Sequence, residues 1–178
     1  MDTLPAQILF VAGTYLLGSI SSAIIVSKAF SLPDPRDLGS GNPGATNVLR
    51  TGNKIAAVIT LIGDLLKGLI PVLAVDLLTA SAPLVAATGF AALIGHMYPL
   101  YYDFKGGKGV ATTLGVLLGF DWLLGVVWIA IWLFTALLFR YSSFAALVAT
   151  TLILITSWFW SENIWLFIIW IDVINNII

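Results

Sequence analysis

Long apolar runs dominate the chain, and short polar or glycine-rich segments separate them. The first run covers residues 8–26, between Gln7 and Lys28. Because a helix needs about 20 apolar residues to cross a bilayer, this run predicts one membrane-spanning helix. Further runs cover residues 55–78, 83–102, 110–120, 122–139, 144–159 and 164–178. The pattern predicts an all-α integral membrane protein with about seven transmembrane helices.

Composition leaves no room for a separate soluble domain. Hydrophobic residues make up 60% of the 178 residues, charged residues make up 10%, and the mean hydropathy is +1.02. We therefore expect residues 1–178 to form a single polytopic membrane domain. Residues 1–5 carry no basic residue, so we expect the first run to be retained and not cleaved as a signal peptide.

Composition also excludes several kinds of site. The absence of cysteine removes disulfides and thiolate ligands, and a single histidine rules out a centre built on several histidines. We expect no metal and no cofactor. A net charge of -1 argues against a nucleic-acid partner.

Basic residues concentrate in three segments between the apolar runs. Since lysine and arginine favour cytoplasmic loops, all three segments are predicted to face the cytoplasm. Residues 110–139 must then cross twice, which places the N-terminus outside and the C-terminus in the cytoplasm. The basic residues concerned are Lys28, Arg36, Arg50, Lys54, Lys105, Lys108 and Arg140.

The first loop, residues 31–54, holds most of the polar side chains. Its glycines free backbone N–H groups, and its arginine offers a guanidinium fork, so the loop is suited to bind a phosphate or carboxylate. A flexible connection between two helices is the alternative. The candidate residues are Ser40, Gly41, Asn42, Gly44, Ala45, Thr46, Asn47 and Arg50.

Three glycines of the first loop mimic a dinucleotide-binding fingerprint. Gly39, Gly41 and Gly44 have the spacing, and Asp64 follows about 20 residues later. The glycines follow a membrane span instead of a strand, and Asp64 lies within an apolar run. The required strand, turn and helix are missing, so we reject this interpretation.

The second loop, residues 103–113, leads directly into an apolar helix. Its lysines supply charge, its glycines allow close approach, and the helix N-terminus adds its dipole, so phosphate is again the predicted ligand. Lys108 precedes Gly109 where a Walker A loop needs serine or threonine. A simple positive anchor is the alternative. The candidates are Lys105, Gly106, Gly107, Lys108, Gly109 and Thr112.

Two charged residues and the histidine lie inside predicted spans. Asp64 and Lys67 are three residues apart on one helical face, where an unpaired charge costs at least about 2.5 kcal/mol, so they should pair or face a polar cavity. They could contact substrate or form a structural ion pair. His96 could serve as a base or as a packing hydrogen bonder.

Several stretches resemble the bacterial acyl-phosphate:glycerol-3-phosphate acyltransferase family. They are GSGNPGATNVLR from residue 39, GDLLKG from residue 63, GHMYPLYYDF from residue 95, FKGGKGVATT from residue 104 and RYSS from residue 140. The resemblance implies transfer of a fatty acyl group from acyl phosphate to the 1-hydroxyl of glycerol 3-phosphate, giving lysophosphatidic acid and phosphate. It implies a bacterial cytoplasmic (inner) membrane, membrane lipid around the chain, and a soluble enzyme that makes acyl phosphate as a partner.

The resemblance also assigns roles. Ser40, Asn47, Arg50 and Lys108 are the expected catalytic residues. The rest of the two loops would bind substrate, together with Asp64, Lys67, His96, Ser142 and Ser143.

One motif of the family has no clear counterpart. The family carries a His-Arg-x-Asn-Ile motif after its last span, and if Asn176 and Ile177 match its Asn-Ile, Val173 stands at the histidine position. The base is then the substrate's own phosphate or His96, or the chain is impaired or incomplete. A transporter of phosphorylated metabolites and an inactive membrane scaffold are the alternative functions.

Overall fold

The computed structural model describes residues 3–79 and 81–160. Its regular structure in these ranges is entirely helical, which confirms the predicted class. The helices are α1 (Leu4–Gly18), α2 (Ser22–Ala29), α3 (Ala45–Leu49), α4 (Lys54–Thr79), α5 (Ala82–Met97), α6 (Val110–Phe120), α7 (Trp122–Phe139) and α8 (Ser142–Trp160). Short 3-10 turns occupy Pro35–Asp37 and Leu100–Tyr102.

The first predicted span is not one continuous helix, so that prediction is wrong. It is divided into α1 and α2, whose axes differ by 42°. Ser19 turns its hydroxyl onto the Tyr15 carbonyl at 2.9 Å, and the Ser21 hydroxyl accepts from the Ile24 N–H and caps α2. These serines supply the local hydrogen bonds that a helix break requires.

The first loop also contains more structure than predicted. The five-residue helix α3 lies within it, preceded by the 3-10 turn at Pro35–Asp37. Val48 of α3 is fully buried with Ala23, Ala56 and Ala57, so α3 packs between α2 and the start of α4. The loop is therefore a folded unit on the end of the helix bundle.

Three described helical segments are long and apolar enough to cross a membrane: Lys54–Thr79, Ala82–Tyr102 and Trp122–Phe139. The bent pair α1 and α2 makes a fourth span when it is counted as one. With 11 residues, α6 is about 16 Å long, shorter than the hydrocarbon core. The predicted seventh helix at residues 164–178 lies outside the described residues. The seven-span topology and its orientation stay predictions.

Glycine contacts fix the directions of the central helices. Gly68 of α4 lies against Thr112 of α6, and Gly119 of α6 lies against Val72 of α4, so these two helices run parallel. Gly89 of α5 lies against Val72 of α4 and Val116 of α6, while His96 of α5 approaches Asp64 of α4; α4 and α5 are therefore antiparallel. Consequently the start of α4, the end of α5 and the start of α6 all point toward the same end of the bundle, which carries both loops.

A candidate active site at one end of the bundle

Asn47 organises the first loop from within. Its side chain is 2% exposed, and its Nδ2 donates to the carbonyls of Pro35 at 2.6 Å and Leu38 at 2.9 Å. Its Oδ1 accepts from the Ser40 backbone N–H at 3.4 Å and from Arg50 Nη1 at 3.3 Å. Both amide hydrogens and the oxygen are thus used by the chain itself. This places Asn47, predicted to be catalytic, as a clamp that shapes the loop.

Ser40 and Arg50 lie on the exposed side of that clamp. Both are exposed residues, and the Arg50 guanidinium reaches back over Gly39 to Asn47. Gly39 has a φ of +53°, and a Cβ there would lie 2.5 Å from Asn47 Oδ1 and 2.6 Å from Arg50 Nη1. The absence of a side chain at Gly39 therefore lets the arginine approach the loop. The structure brings Ser40, Asn47 and Arg50 together, and their catalytic roles stay predictions.

The remaining candidates of the first loop lie around the same turn. Gly41 has a φ of +69° and donates to the Leu38 carbonyl at 2.8 Å, and Gly44 donates to the Asn42 carbonyl at 2.9 Å. Asn42, Gly44 and Ala45 are half-buried, whereas Gly41 and Thr46 are exposed. The N–H groups of Gly41 and Gly44 are therefore used within the loop, and their contact with an anion stays a prediction.

A bidentate ion pair marks the edge of the first loop nearest the second. Arg36 donates from Nη2 to Asp34 Oδ2 at 2.7 Å and from Nε to Oδ1 at 3.0 Å. Hydrogen bonding from Arg36 lowers the pKa of Asp34. Hydrogen bonding to Asp34 raises the pKa of Arg36, and the charges of Asp37 and Asp103 act in the same direction. Asp103 belongs to the second loop, so the two loops lie within electrostatic reach of each other.

The second loop folds back onto the end of α5. The N–H of Gly106 donates to the Met97 carbonyl, and the N–H of Gly107 donates to the His96 carbonyl, each at 3.1 Å. Gly106 and Gly107 were predicted to bind substrate, and in this structure their N–H groups are used by the protein itself. Lys105 is exposed, Lys108 is half-buried, and Gly109, with a φ of +76°, turns the chain into α6. Binding of an anion by the lysines and the N-terminus of α6 stays a prediction.

Beneath the second loop lies a buried polar group formed by Asp64, Lys67 and His96. Lys67 Nζ lies 3.0 Å from Asp64 Oδ1, which confirms the predicted pairing. Lys67 Nζ also donates to the Ile20 carbonyl at 2.9 Å. His96 Nδ1 is 3.7 Å from the same Asp64 oxygen. All three residues are at most 7% exposed.

Three other candidates have different surroundings. Thr112 is fully buried, and its hydroxyl donates to the Asp64 carbonyl at 2.9 Å, so it joins α6 to α4. Ser142 and Ser143 begin α8 and are half-buried; the Ser142 carbonyl accepts from Trp132 Nε1 at 3.3 Å. Within the described ranges no group of three or more acidic or histidine side chains could hold a metal ion.

The sequence interpretation missed the break between α1 and α2. The Ile20 carbonyl is a partner of Lys67, and it is available because Ile20 lies between the two helices. The signal was the run of Gly18, Ser19, Ser21 and Ser22 inside an otherwise apolar stretch. Glycine and serine cluster where helices break, so this run is compatible with a break, but it does not by itself distinguish a broken span from a continuous one.

Comparisons with known proteins point to one family. A family model described as glycerol-3-phosphate acyltransferase matches residues 8–177. A glycerol-3-phosphate acyltransferase of Methylococcus capsulatus is 55% identical over 157 residues, which are 88% of this chain and 79% of that protein. One from Francisella tularensis subsp. novicida is 56% identical over 138 residues, which are 78% of this chain and 68% of that protein.

Solved structures point to the same family. The glycerol 3-phosphate form of PlsY (YgiH), an integral membrane glycerol 3-phosphate acyltransferase, aligns with a TM-score of 0.90 at 35% identity, covering 97% of this chain and 86% of that one. The lysophosphatidic acid form of PlsY aligns with a TM-score of 0.88 at 34% identity, with the same coverage. The chain belongs to the glycerol-3-phosphate acyltransferase family.

Proposed function

We propose that this protein transfers a fatty acyl group from acyl phosphate to the 1-hydroxyl of glycerol 3-phosphate, producing lysophosphatidic acid and phosphate. The observation that carries the proposal is the placement of two basic, glycine-rich loops at one end of an apolar helix bundle, in a chain of this family. Both substrates carry phosphate, so each needs a cationic, donor-rich site. PlsY, the solved relative, has forms with glycerol 3-phosphate and with lysophosphatidic acid.

The exposed Arg50 and the half-buried Lys108 are the cations that we assign to the substrate. We assign Arg50 and Lys108 to the substrate phosphates, and Ser40 with the exposed rim of the first loop to the head group of the acyl phosphate. Arg50 is pre-oriented, because Asn47 holds one of its guanidinium nitrogens. Ordered donors of this kind stabilise charge that develops on the carbonyl oxygen during acyl transfer.

The reaction does not need a covalent acyl-enzyme intermediate. The glycerol hydroxyl attacks the acyl carbon, the new ester C–O bond forms, and the bond from the acyl carbon to the phosphate oxygen breaks. The hydroxyl proton leaves with the released phosphate, either directly or through a base. The third-motif positions, including Val173 and Asn176, lie outside the described residues. Positioning two phosphates side by side is therefore the main contribution that we assign to the two loops.

An apolar groove between α1 and α5 offers a place for the acyl chain. Its volume is about 540 Å³, and its walls include Leu4, Ile8 and Ile94. The groove reaches Tyr15, whose hydroxyl donates at 3.0 Å to the Tyr98 carbonyl just beyond α5. Since α5 leads into the second loop, the groove extends from the lipid-facing surface toward the proposed site.

Filling this groove should change the choice of acyl chain. Ala12 lines it, so Ala12→Trp should reduce the preference for long over short acyl phosphates by about 10-fold, an effect typical of hydrophobic pocket contacts. Ala130→Trp, on an exposed face of α7, is the matched control and should leave that preference unchanged. If the ratio of kcat/KM for long over short acyl phosphates is unchanged in Ala12→Trp, the acyl chain of the substrate does not bind in this groove.

The proposed function is tested by supplying the purified protein in lipid with glycerol 3-phosphate and either acyl phosphate or acyl-CoA. We expect lysophosphatidic acid with acyl phosphate and none with acyl-CoA. Uptake of glycerol 3-phosphate into sealed vesicles without acyl transfer would favour a transporter. Binding without either activity would favour an inactive scaffold.

The proposed substrates indicate the location and the partner of the protein. We place the protein in the bacterial cytoplasmic (inner) membrane, with both loops toward the cytoplasm where glycerol 3-phosphate is available. Acyl phosphate must be supplied by a soluble enzyme that makes it, and this enzyme is the partner that we propose.

A further inference from the structure

The buried group of Asp64, Lys67 and His96 lies where four parts of the chain meet. Asp64 and Lys67 come from α4, and His96 comes from the last turn of α5. Lys67 reaches the Ile20 carbonyl in the break between α1 and α2 at 2.9 Å. The Asp64 carbonyl accepts from Thr112 at the start of α6 at 2.9 Å.

His96 contacts the second loop through both its backbone carbonyl and its side-chain ring. Its backbone carbonyl accepts from the Gly107 N–H at 3.1 Å. Its ring lies against Gly107 so closely that a Cβ at Gly107 would be 2.9 Å from Cε1 and closer still to Nε2. The ring therefore forms the surface on which the loop lies, one residue before Lys108.

The polar atoms of the group face one another and the backbone. Lys67 Nζ is held between Asp64 Oδ1 at 3.0 Å and the Ile20 carbonyl, and its side chain is 5% exposed. His96 Nδ1 lies 3.7 Å from the same Asp64 oxygen, beyond hydrogen-bond distance. A charged pair in so dry a setting depends on its mutual interaction and on the hydrogen bond from Lys67 to the Ile20 carbonyl. This geometry favours support of the loop over direct contact with a substrate.

We infer that Asp64, Lys67 and His96 are positioning residues, which hold the second loop and the break between α1 and α2 in the arrangement that places Lys108 for phosphate binding. The inference rests on the proposed function for its kinetic readout. It assigns to these residues a role in the placement of glycerol 3-phosphate and none in proton transfer.

The charge pair provides the first test, with acyl phosphate and glycerol 3-phosphate as substrates and the full chain in lipid. Asp64→Asn and Lys67→Met each leave one buried charge unpaired and should raise the KM for glycerol 3-phosphate about 10- to 100-fold. The double variant restores neutrality and should recover at least about 10-fold over the worse single variant. If a single variant does not fold, the folded double variant should still lie within about 100-fold of the natural chain in kcat/KM.

If Asp64 or Lys67 takes part directly in the reaction, the double variant should show no recovery. If Asp64 or Lys67 contacts the substrate or carries a proton, a folded double variant will be no better than the worse single variant. That result would overturn the inference. A loss of kcat with the KM for glycerol 3-phosphate unchanged would do so as well, because it indicates a lost transition-state interaction or a smaller folded fraction and no defect in the placement of glycerol 3-phosphate.

The contact between His96 and Gly107 provides a second, steric test. Gly107→Ala forces a methyl group into the His96 ring, and His96→Ala removes that ring, so the double variant should recover about 10-fold or more over Gly107→Ala alone. Gly13→Ala is the matched control and should be neutral, because nothing lies within 4 Å of a Cβ there. A double variant that remains as inactive as Gly107→Ala would assign His96 a chemical role and overturn its part of the inference.

Failure of the proposed function and failure of the positioning role give different results. If the natural chain makes no lysophosphatidic acid, the proposed function fails, and the same variants are then compared by their dissociation constants for glycerol 3-phosphate. The paired recovery is expected in those constants too. Its absence in folded variants would overturn the inference independently of the reaction.

Discussion

The first loop is folded mainly by contacts within itself, whereas the second loop is attached to helices that are held together from distant parts of the chain. In the first loop, Asn47 binds Pro35, Leu38, Ser40 and Arg50, all within 12 residues of it. In the second loop, Gly106 and Gly107 bind the end of α5, whose His96 approaches Asp64 of α4. The hydrogen bonds of the first loop therefore depend mainly on the Asn47 side chain, and the attachment of the second loop depends on the packing of the bundle.

The largest effect is expected where the second loop meets α5. A Cβ at Gly106 would lie 2.5 Å from the Met97 carbonyl oxygen and 2.6 Å from Pro99 Cδ, and both belong to fixed backbone or ring. Gly106→Ala should therefore cost about 3 kcal/mol or more by overpacking and by loss of the loop's hydrogen bonds, and activity should be lost.

Gly41 of the first loop is the matched comparison. Its φ is +69°, but the nearest atom to a Cβ would be the Arg36 carbonyl oxygen at 3.4 Å. Gly41→Ala should cost only about 1 to 2 kcal/mol of backbone strain. Unfolding in detergent and the rate of acyl transfer measure both variants. Equal losses in the two would remove the distinction between the loops.

The next largest effect is expected at Asn47. Asn47→Ala leaves the buried Pro35 carbonyl and the partly buried Leu38 carbonyl without their side-chain donor, which should cost about 2 to 4 kcal/mol and release Arg50. Asn53→Ala is the matched control, since Asn53 Oδ1 only caps α4 through the Ala56 N–H at 3.0 Å and should cost about 1 kcal/mol. Acyl transfer should fall sharply in the first variant and little in the second; the reverse order would contradict the clamp.

The substrate-facing cations come next. Arg50→Ala and Lys108→Ala should each lower kcat/KM by about 10- to 150-fold with little loss of stability, because each removes a charge-assisted donor worth about 1.5 to 3 kcal/mol. Arg50→Lys should also be impaired, since a point charge cannot replace the guanidinium fork. Steady-state kinetics with both substrates varied separates the two loops. Unchanged kinetics in all three variants would remove these residues from the site.

The smallest effect is expected at the edge pair of Asp34 and Arg36. The pKa of Asp34 is lowered in the folded protein, so its contribution is fully present above the unfolded value near 3.8 and is lost as the pH falls through the lower folded value. Both side chains are about one-third exposed, so Asp34→Asn should cost under about 1 kcal/mol at neutral pH. The difference in unfolding free energy between the variant and the natural chain should shrink below pH 4; a constant difference would exclude the pair as its cause.

The contrast between the loops also explains what the sequence could predict. Apolar run lengths predicted the helical class, and the cost of an unpaired membrane charge predicted the pairing of Asp64 with Lys67, which the structure confirms. The residues of the first loop were predicted as one group because its contacts are local. The attachment of Gly106 and Gly107 to α5 could not be predicted, because it depends on how α4, α5 and α6 pack.

The break between α1 and α2 was missed for a related reason. Serine hydroxyls can bond to their own helix, so Ser19 and Ser21 are compatible with either a continuous or a broken span. What selects the break is tertiary: Gly95 of α5 lies against Tyr15, Gly18 and Ser19, and Lys67 binds the Ile20 carbonyl. None of these contacts is visible in the spacing of apolar residues.

The central claim is that both loops serve one site on one side of the membrane, and labelling of single cysteines in sealed vesicles tests it most directly. The chain contains no cysteine, so Asp37→Cys, Lys105→Cys and Ser81→Cys each give a unique target for a membrane-impermeant thiol reagent. Asp37 lies in the first loop, Lys105 in the second, and Ser81 at the opposite end of α5. We predict that the first two react in the same fraction of the protein and Ser81 in the complementary fraction. Labelling of Asp37→Cys and Lys105→Cys from opposite sides would contradict the two-phosphate site.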